Sequence, residues 1–413
     1  MIADISAATI AALVLSSAAA AAAAAGPTSV GQFSVDKPAF AKLSRTSTGT
    51  NLYLSSFQAL ASDAIFVADA AAAVKSPSTT SPQKLAGTVT WPNEIRDAPA
   101  SLFGTEGIVA AGGFIVPGKT KGGLFFAPRF ANGTHGALTQ IFKPSSDWFY
   151  HRVAFYDVNK DGKLDILTCR ANKPLLGSAS GDLVWLQPTD RTRPTGSWTE
   201  TVIGKGCDTY FIIADLNNDG KDEILSAEFW GKSLTLIQST DASGRFDVAS
   251  SLKVTKIDTS VADSFDVQFV DLNGDGKKDI LFSNHLASKG AIYGYEIPSN
   301  LAEPWTRHTL ASDFPVRISG PGQAAPGTPI AFFPNTAATT GKPTIVAAGD
   351  GTKQAYIISA NSTNAADWGY TQTVLHDCAG TVGEIAVADA NGDGRSDIFI
   401  PCYDSNYVAV YSY

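Results

Sequence analysis

Four short segments of the 413-residue chain carry oxygen-bearing side chains at a spacing that suits a hard cation. Each reads Asp-x-Asn-x-Asp-Gly-x-x-Asp or Glu. The carriers are Asp157, Asn159, Asp161 and Asp165; Asp215, Asn217, Asp219 and Glu223; Asp271, Asn273, Asp275 and Asp279; and Asp389, Asn391, Asp393 and Asp397. Carboxylate and amide oxygens at positions 1, 3, 5 and 9 of a sharply turned loop, joined by a backbone carbonyl from position 7, converge as Ca2+ requires. Up to four calcium ions are therefore expected. An EF-hand would need a bidentate Glu at position 12 and a helix on either side. Position 12 is instead Thr168, Ser226, Phe282 or Ile400, and β-type hydrophobic runs flank every copy. These are strand-loop-strand sites, whose expected role is to stiffen turns and add binding energy to folding without touching a ligand.

The elements that must hold such loops emerge from their spacing. The first aspartates are 58, 56 and 118 residues apart, the last interval being about twice the others, so a degenerate unit lies between the third and fourth copies. Its strands are visible at 330–335 and 342–348, and two further degenerate units lie around 52–70 and 100–113, giving seven in all. The third unit shows four alternating runs, at 151–156, 164–170, 183–187 and 198–203, separated by polar or Gly/Pro turns. Radial repetition of such units predicts an all-β, seven-bladed β-propeller with four-stranded blades. The last unit ends at its third strand, so an N-terminal strand is expected to close the ring, with residues 40–43 as the candidate. Trp198, Trp305 and Trp368 recur just ahead of the outermost strand of their units and are read as apolar anchors between blades.

Only 17% of residues are charged, the formal net charge is −8, and Lys and Arg form no clusters. A phosphate-binding surface needs such clusters, so no nucleic-acid partner is expected. Residues 1–25 end in a long alanine run before Gly26-Pro27 and are read as a cleaved signal peptide, with a membrane anchor as the runner-up; residues 26–413 form the propeller. No second apolar segment suggests a membrane span in the mature chain. Asn132 and Asn361 head glycosylation triplets, which together with an even cysteine number fit a secreted, extracellular monomer.

The four loops resemble FG-GAP/VCBS repeats, the calcium-carrying units of integrin α-chain propellers and of many secreted propellers. The resemblance spans the chain after residue 25, although the first, second and sixth units lack the acidic loop. Similar proteins include a mushroom propeller lectin that binds N-acetylglucosamine-type sugars. They also include the propeller portion of aldos-2-ulose dehydratase, a lyase acting on keto-sugars, in which further domains accompany the propeller. The resemblance thus implies a lectin-like or adhesive role, a zinc-assisted lyase activity, or a protein-binding adhesion module.

In each unit the first strand enters the acidic loop and the second returns. Residues just before the first strand and just after the second therefore share the opposite face. Rings flanked by acids, amides and Arg suit a sugar, which offers an apolar face to stack and hydroxyls to bond. Trp148, Arg170, Trp230 and Tyr403 are the ligand-binding candidates there, and the expected partner is a glycan or cell-surface glycoprotein. His151, Glu228 and His285 come from consecutive units and would form a His/His/carboxylate zinc site with an open position if catalysis occurs. Cys169, Cys207, Cys378 and Cys402 share this face. Four cysteines allow three connectivities, of which Cys169–Cys207 with Cys378–Cys402 is the simplest.

Overall fold

The computed structural model describes residues 26–413 apart from positions 175, 193, 194 and 321, so the signal-peptide reading of residues 1–25 lies outside the described residues. The chain forms seven antiparallel four-stranded sheets arranged as the blades of a propeller. Blade 1 contains Pro38–Thr46, Gly49–Ser56, Ala64–Asp69 and Gln83–Lys84, and blade 2 contains Pro92–Ala98, Gly107–Gly112, Gly123–Pro128 and Thr139–Phe142. Blade 3 runs from Phe149–Tyr156 to Trp198–Lys205, blade 4 from Tyr210–Ala214 to Leu252–Asp258, blade 5 from Ser264–Val270 to Thr306–Ala311, and blade 6 from Pro329–Phe332 to Tyr370–Asp377. Blade 7 takes Ala386–Ala388, Asp397–Cys402 and Tyr407–Ser412 from the C-terminus and Thr28–Ser34 from the N-terminus.

An N-terminal strand does close the ring, but residues 40–43 are not that strand. Thr28–Ser34 pairs with Tyr407–Ser412, from Thr28 opposite Ser412 to Ser34 opposite Tyr407. Residues 40–43 belong to the innermost strand of blade 1. The outermost strand is mostly exposed and polar, so its sequence carries little periodic signal, whereas at 39–43 buried Ala39 and Ala41 alternate with half-buried residues on an inner strand. The two inner strands that meet at the closure are tied by Ala41 N–H donating to the Glu384 carbonyl (3.1 Å) and Glu384 N–H donating to the Ala39 carbonyl (2.8 Å).

The apolar core is distributed rather than central. One cluster fills each of the seven blade–blade interfaces, because the second and third strands of every blade are buried on both faces and must be covered by a neighbour. Trp198, Trp305 and Trp368 pack against three of these clusters, as expected of anchors. This arrangement leaves the inner strand ends free to carry polar residues around the axis.

Candidate functional site

In blades 3, 4, 5 and 7 the acidic loop joins the innermost strand to the second. Its shape follows from two left-handed residues, at positions 4 and 6. Position 4 is Lys160, Asn218, Gly274 or Gly392 (φ 59°, 59°, 75° and 81°), and position 6 is always Gly. Gly reaches this region without the steric cost a side chain imposes. The turn folds the position 1 carboxylate back on the loop: Asp215 accepts from the N–H groups of Asp219 (3.0 Å) and Gly220 (2.8 Å), and Asp389 from those of Gly392 (2.7 Å) and Gly394 (3.1 Å). Position 9 is anchored by the N–H of position 2, as in Leu216 to Glu223 (3.0 Å), Leu272 to Asp279 (2.9 Å) and Ala390 to Asp397 (3.0 Å). Asp397 Oδ1 is buried without any donor. Hard oxygen donors gathered on a tight turn, one of them orphaned, fit a calcium ion.

The first loop differs. Asp165 Oδ1 accepts from Arg191 Nη2 at 2.7 Å and its Oδ2 from Trp185 Nε1 at 2.9 Å, while the same guanidinium nitrogen lies 3.6 Å from Asp161. A side-chain cation therefore already neutralises positions 5 and 9 of this loop. The sequence motif gives no warning, because Arg191 arrives from the turn between the third and fourth strands of the blade.

On the opposite face a cavity of about 350 Å³ opens around the propeller axis. Its wall carries a row of stacked rings: Phe57 on Trp91 (centroids 4.4 Å apart) and Trp91 on Phe114 (5.2 Å), with Tyr403 5.9 Å from Phe57. The Tyr403 hydroxyl donates to the Phe57 carbonyl at 2.7 Å, which fixes that ring. Across the cavity stand Phe265 and His285, stacked at 4.7 Å. Three polar atoms of the lining have no partner: His151 Nδ1, Gln323 Oε1 and Thr328 Oγ1. Each is buried, so each forfeits a hydrogen bond that a ligand could supply.

Beneath Glu384, which lines the cavity, lies an ionic cluster. The Tyr210 hydroxyl donates to Glu384 Oε2 (3.0 Å), and the Arg152 guanidinium lies 4.3 Å over the Tyr210 ring. Arg152 is 3.0 Å from Glu94 and 4.0 Å from Asp266, and Glu94 is shared with Arg96 (2.9 Å). Burial pushes Glu384 up to about 7, with Asp266 and Glu94 adding to the rise and Arg152 opposing it. Burial, reinforced by Arg152, drives His151 down to about 3, so its imidazole is neutral. Asp350, on the wall, is also raised by burial, with the His285 ring 3.6 Å away opposing the shift.

The sequence-derived candidates fall into three groups. Tyr403, His151 and His285 line the cavity. Trp230 stands behind it, with its ring packed on Phe149 (5.4 Å) and Phe229 (5.1 Å). Trp148 and Arg170 lie outside the lining and serve blade 3: the guanidinium stacks 4.0 Å over the indole and pairs with Asp182 (2.8 Å) and Glu200. The His151, Glu228 and His285 trio does not assemble. Glu228 turns into blade 4, where Ser233 donates to it at 3.0 Å, and the rings of Tyr210 and Phe265 stand between the two histidines. His285 Nδ1 is engaged by the Pro326 carbonyl at 2.9 Å. Among the described residues, the one group of three potential ligand atoms within 4.8 Å is His376, Cys378 and Cys402, whose cysteines are spent in a disulfide.

Both expected disulfides form, Cys169–Cys207 and Cys378–Cys402, and all four cysteines are buried. Asn132 and Asn361 are exposed. No described helix is long and apolar enough to cross a membrane. The residues missed from sequence are the cavity's own: Phe57, Trp91, Phe114, Gln323 and Thr328. Phe57 and Phe114 follow the second strands of blades 1 and 2, so the opposite-face rule would have found them had those blades carried a loop motif to set their register.

Fold and loops together define a seven-bladed β-propeller built on Asp-rich strand-loop-strand repeats. Residues 215–282 match the FG-GAP-like repeat family, from the loop of blade 4 to the second strand of blade 5. No curated protein matches the chain in sequence. Solved structures with a similar course include a glucose dehydrogenase (9% identity, TM-score 0.43, covering 79% of this chain and 97% of that one). They also include the soluble aldose sugar dehydrogenase of Escherichia coli (11%, TM-score 0.39, 78% and 96%) and the NanB sialidase of Streptococcus pneumoniae (11%, TM-score 0.39, 93% and 69%). Likenesses of this depth leave the ligand to be argued from this chain's own residues.

Proposed function

We propose that the protein is a secreted, calcium-stabilised propeller that binds carbohydrate in the axial cavity opposite the acidic loops. The observation that carries this reading is the pairing, in one cavity, of the Phe57–Trp91–Phe114 stack with three buried, unpartnered polar atoms. A pyranose presents an apolar face to such rings and directed hydroxyls to such atoms. The cavity volume of about 350 Å³ is at the small end of ligand pockets, suiting one or two sugar units at a glycan terminus. Two buried disulfides favour an oxidising compartment, where a glycan or cell-surface glycoprotein is the available partner.

Calcium belongs to this reading as a structural ion. Asp215, Asn217, Asp219 and Glu223, and their counterparts in blades 5 and 7, would hold it, and it would supply folding energy at the far end of the blades. The test is a glycan array probed with the calcium-loaded protein and with Trp91→Ala and Tyr403→Ala. Binding by the parent that both variants lose supports the reading, and an array with no hit at millimolar sugar ends it.

A further inference from the structure

Resting on the carbohydrate reading, the lining chemistry narrows the sugar. Two carboxyl groups, Glu384 and Asp350, face the cavity, and among the described residues no Lys or Arg lines it. Arg152, beneath the floor, is committed to Glu94 and Asp266 and stacked on Tyr210. Lys37, which lies 5.1 Å over the Tyr403 ring, is 3.8 Å from Asp404. Of the two histidines in the lining, His151 is neutral, and His285 is committed on both nitrogens, with Nδ1 against the Pro326 carbonyl and Nε2 3.6 Å from Asp350.

The unpartnered atoms point the same way. Gln323 Oε1 can only accept a hydrogen bond, a neutral His151 can accept at Nδ1, and Thr328 Oγ1 can do either. The cavity therefore offers acceptors and two carboxyl groups, raised by burial, that a nearby ammonium would hold in the ionised form, with aromatic faces on which a cation is also stabilised. A group that is positively charged and only donates matches all three properties, and an ammonium is such a group.

We infer that the cavity takes a sugar bearing a free amine, a 2-amino-2-deoxyhexose with its nitrogen directed at Glu384 and its ring on the Phe57–Trp91 wall. Neutral sugars of the same shape would fill the wall but bring no positive charge to the carboxyl groups.

Titration calorimetry of the calcium-loaded protein at pH 7 with glucosamine, N-acetylglucosamine and glucose tests this. The expected result is that glucosamine binds about tenfold tighter or better than the other two, the effect of one hydrogen bond to a charged group. Glu384→Gln and, separately, Asp350→Asn, which preserve shape, should each bring the ratio of glucosamine to glucose affinity down toward one. Equal affinities, or tighter binding of the N-acetyl sugar, overturn the amine assignment and leave the carbohydrate reading standing. Failure of all three sugars to bind overturns both.

Discussion

The Arg191 guanidinium lies 2.7 Å from Asp165 and 3.6 Å from Asp161, across the two carboxylates that the first acidic loop would turn toward a cation. In the other three loops the position 9 acid is held by a backbone N–H, and among the described residues no basic side chain pairs with it. The four repeats are thus alike in sequence and unlike in electrostatics.

Metal analysis after equilibration with micromolar calcium should find three ions per chain in the parent. Arg191→Ala should raise this to four, since the carboxylates it releases regain their need for a counter-charge. Four equivalent ions in the parent would contradict the role given to Arg191.

Chelation should lower the melting temperature. An ion at a hundredfold excess over its dissociation constant adds about 2.7 kcal/mol to stability, so loss of several should be visible as a shift of many degrees. A melting curve that ignores chelator would remove calcium from the structural account of the loops.

The pH dependence of stability follows from Glu384, whose carboxyl is pushed up to about 7, mainly by burial. Between the ordinary glutamate range and pH 7 the folded chain keeps a proton that the unfolded chain has released. The stabilising contribution of this group is therefore complete at low pH and declines as pH rises through that window. Glu384→Gln has no proton to lose. It should match the parent near pH 4 and exceed it by about 1–3 kcal/mol at pH 8.5, as read by urea denaturation. A variant weaker than the parent at both pH values would show that the carboxylate stabilises the fold.

Ring closure can be tested by deleting residues 26–34. The deletion exposes the edge of Tyr407–Ser412 along its whole length, and an unpaired edge recruits other chains. Light scattering should show concentration-dependent association of the truncated protein, where the full chain shows none.

The disulfides span 38 and 24 residues. Replacing either pair by serine should cost about 3–4 kcal/mol by loop-closure entropy, measurable by denaturant titration. The Cys378–Cys402 bridge lies next to Tyr403 in sequence, so its loss should also weaken sugar binding, whereas loss of Cys169–Cys207 should change stability alone.

Much of this structure was legible in the sequence wherever a local rule repeats. The acidic loops fix four blades, their period reveals the other three, and the strand-loop-strand order identifies the face on which the cysteines meet. Legibility failed where the determinant is long-range. Thr28–Ser34 is a polar outer strand whose partner lies nearly 380 residues away, so it offers less pattern than the inner strand at 38–46. Trp148 and Arg170 have the right residue types for a sugar site, but their side chains are consumed by each other and by Asp182. The aromatic wall comes from blades 1 and 2, which lack the motif that would have set their register.

The most direct measurement is a crystal structure of the calcium-loaded protein with the tightest-binding glycan from the array. The sugar should lie against Phe57, Trp91 and Tyr403 and satisfy at least two of His151 Nδ1, Gln323 Oε1 and Thr328 Oγ1. A glycan bound on the face of the acidic loops, or an axial cavity left to solvent, would contradict the assignment.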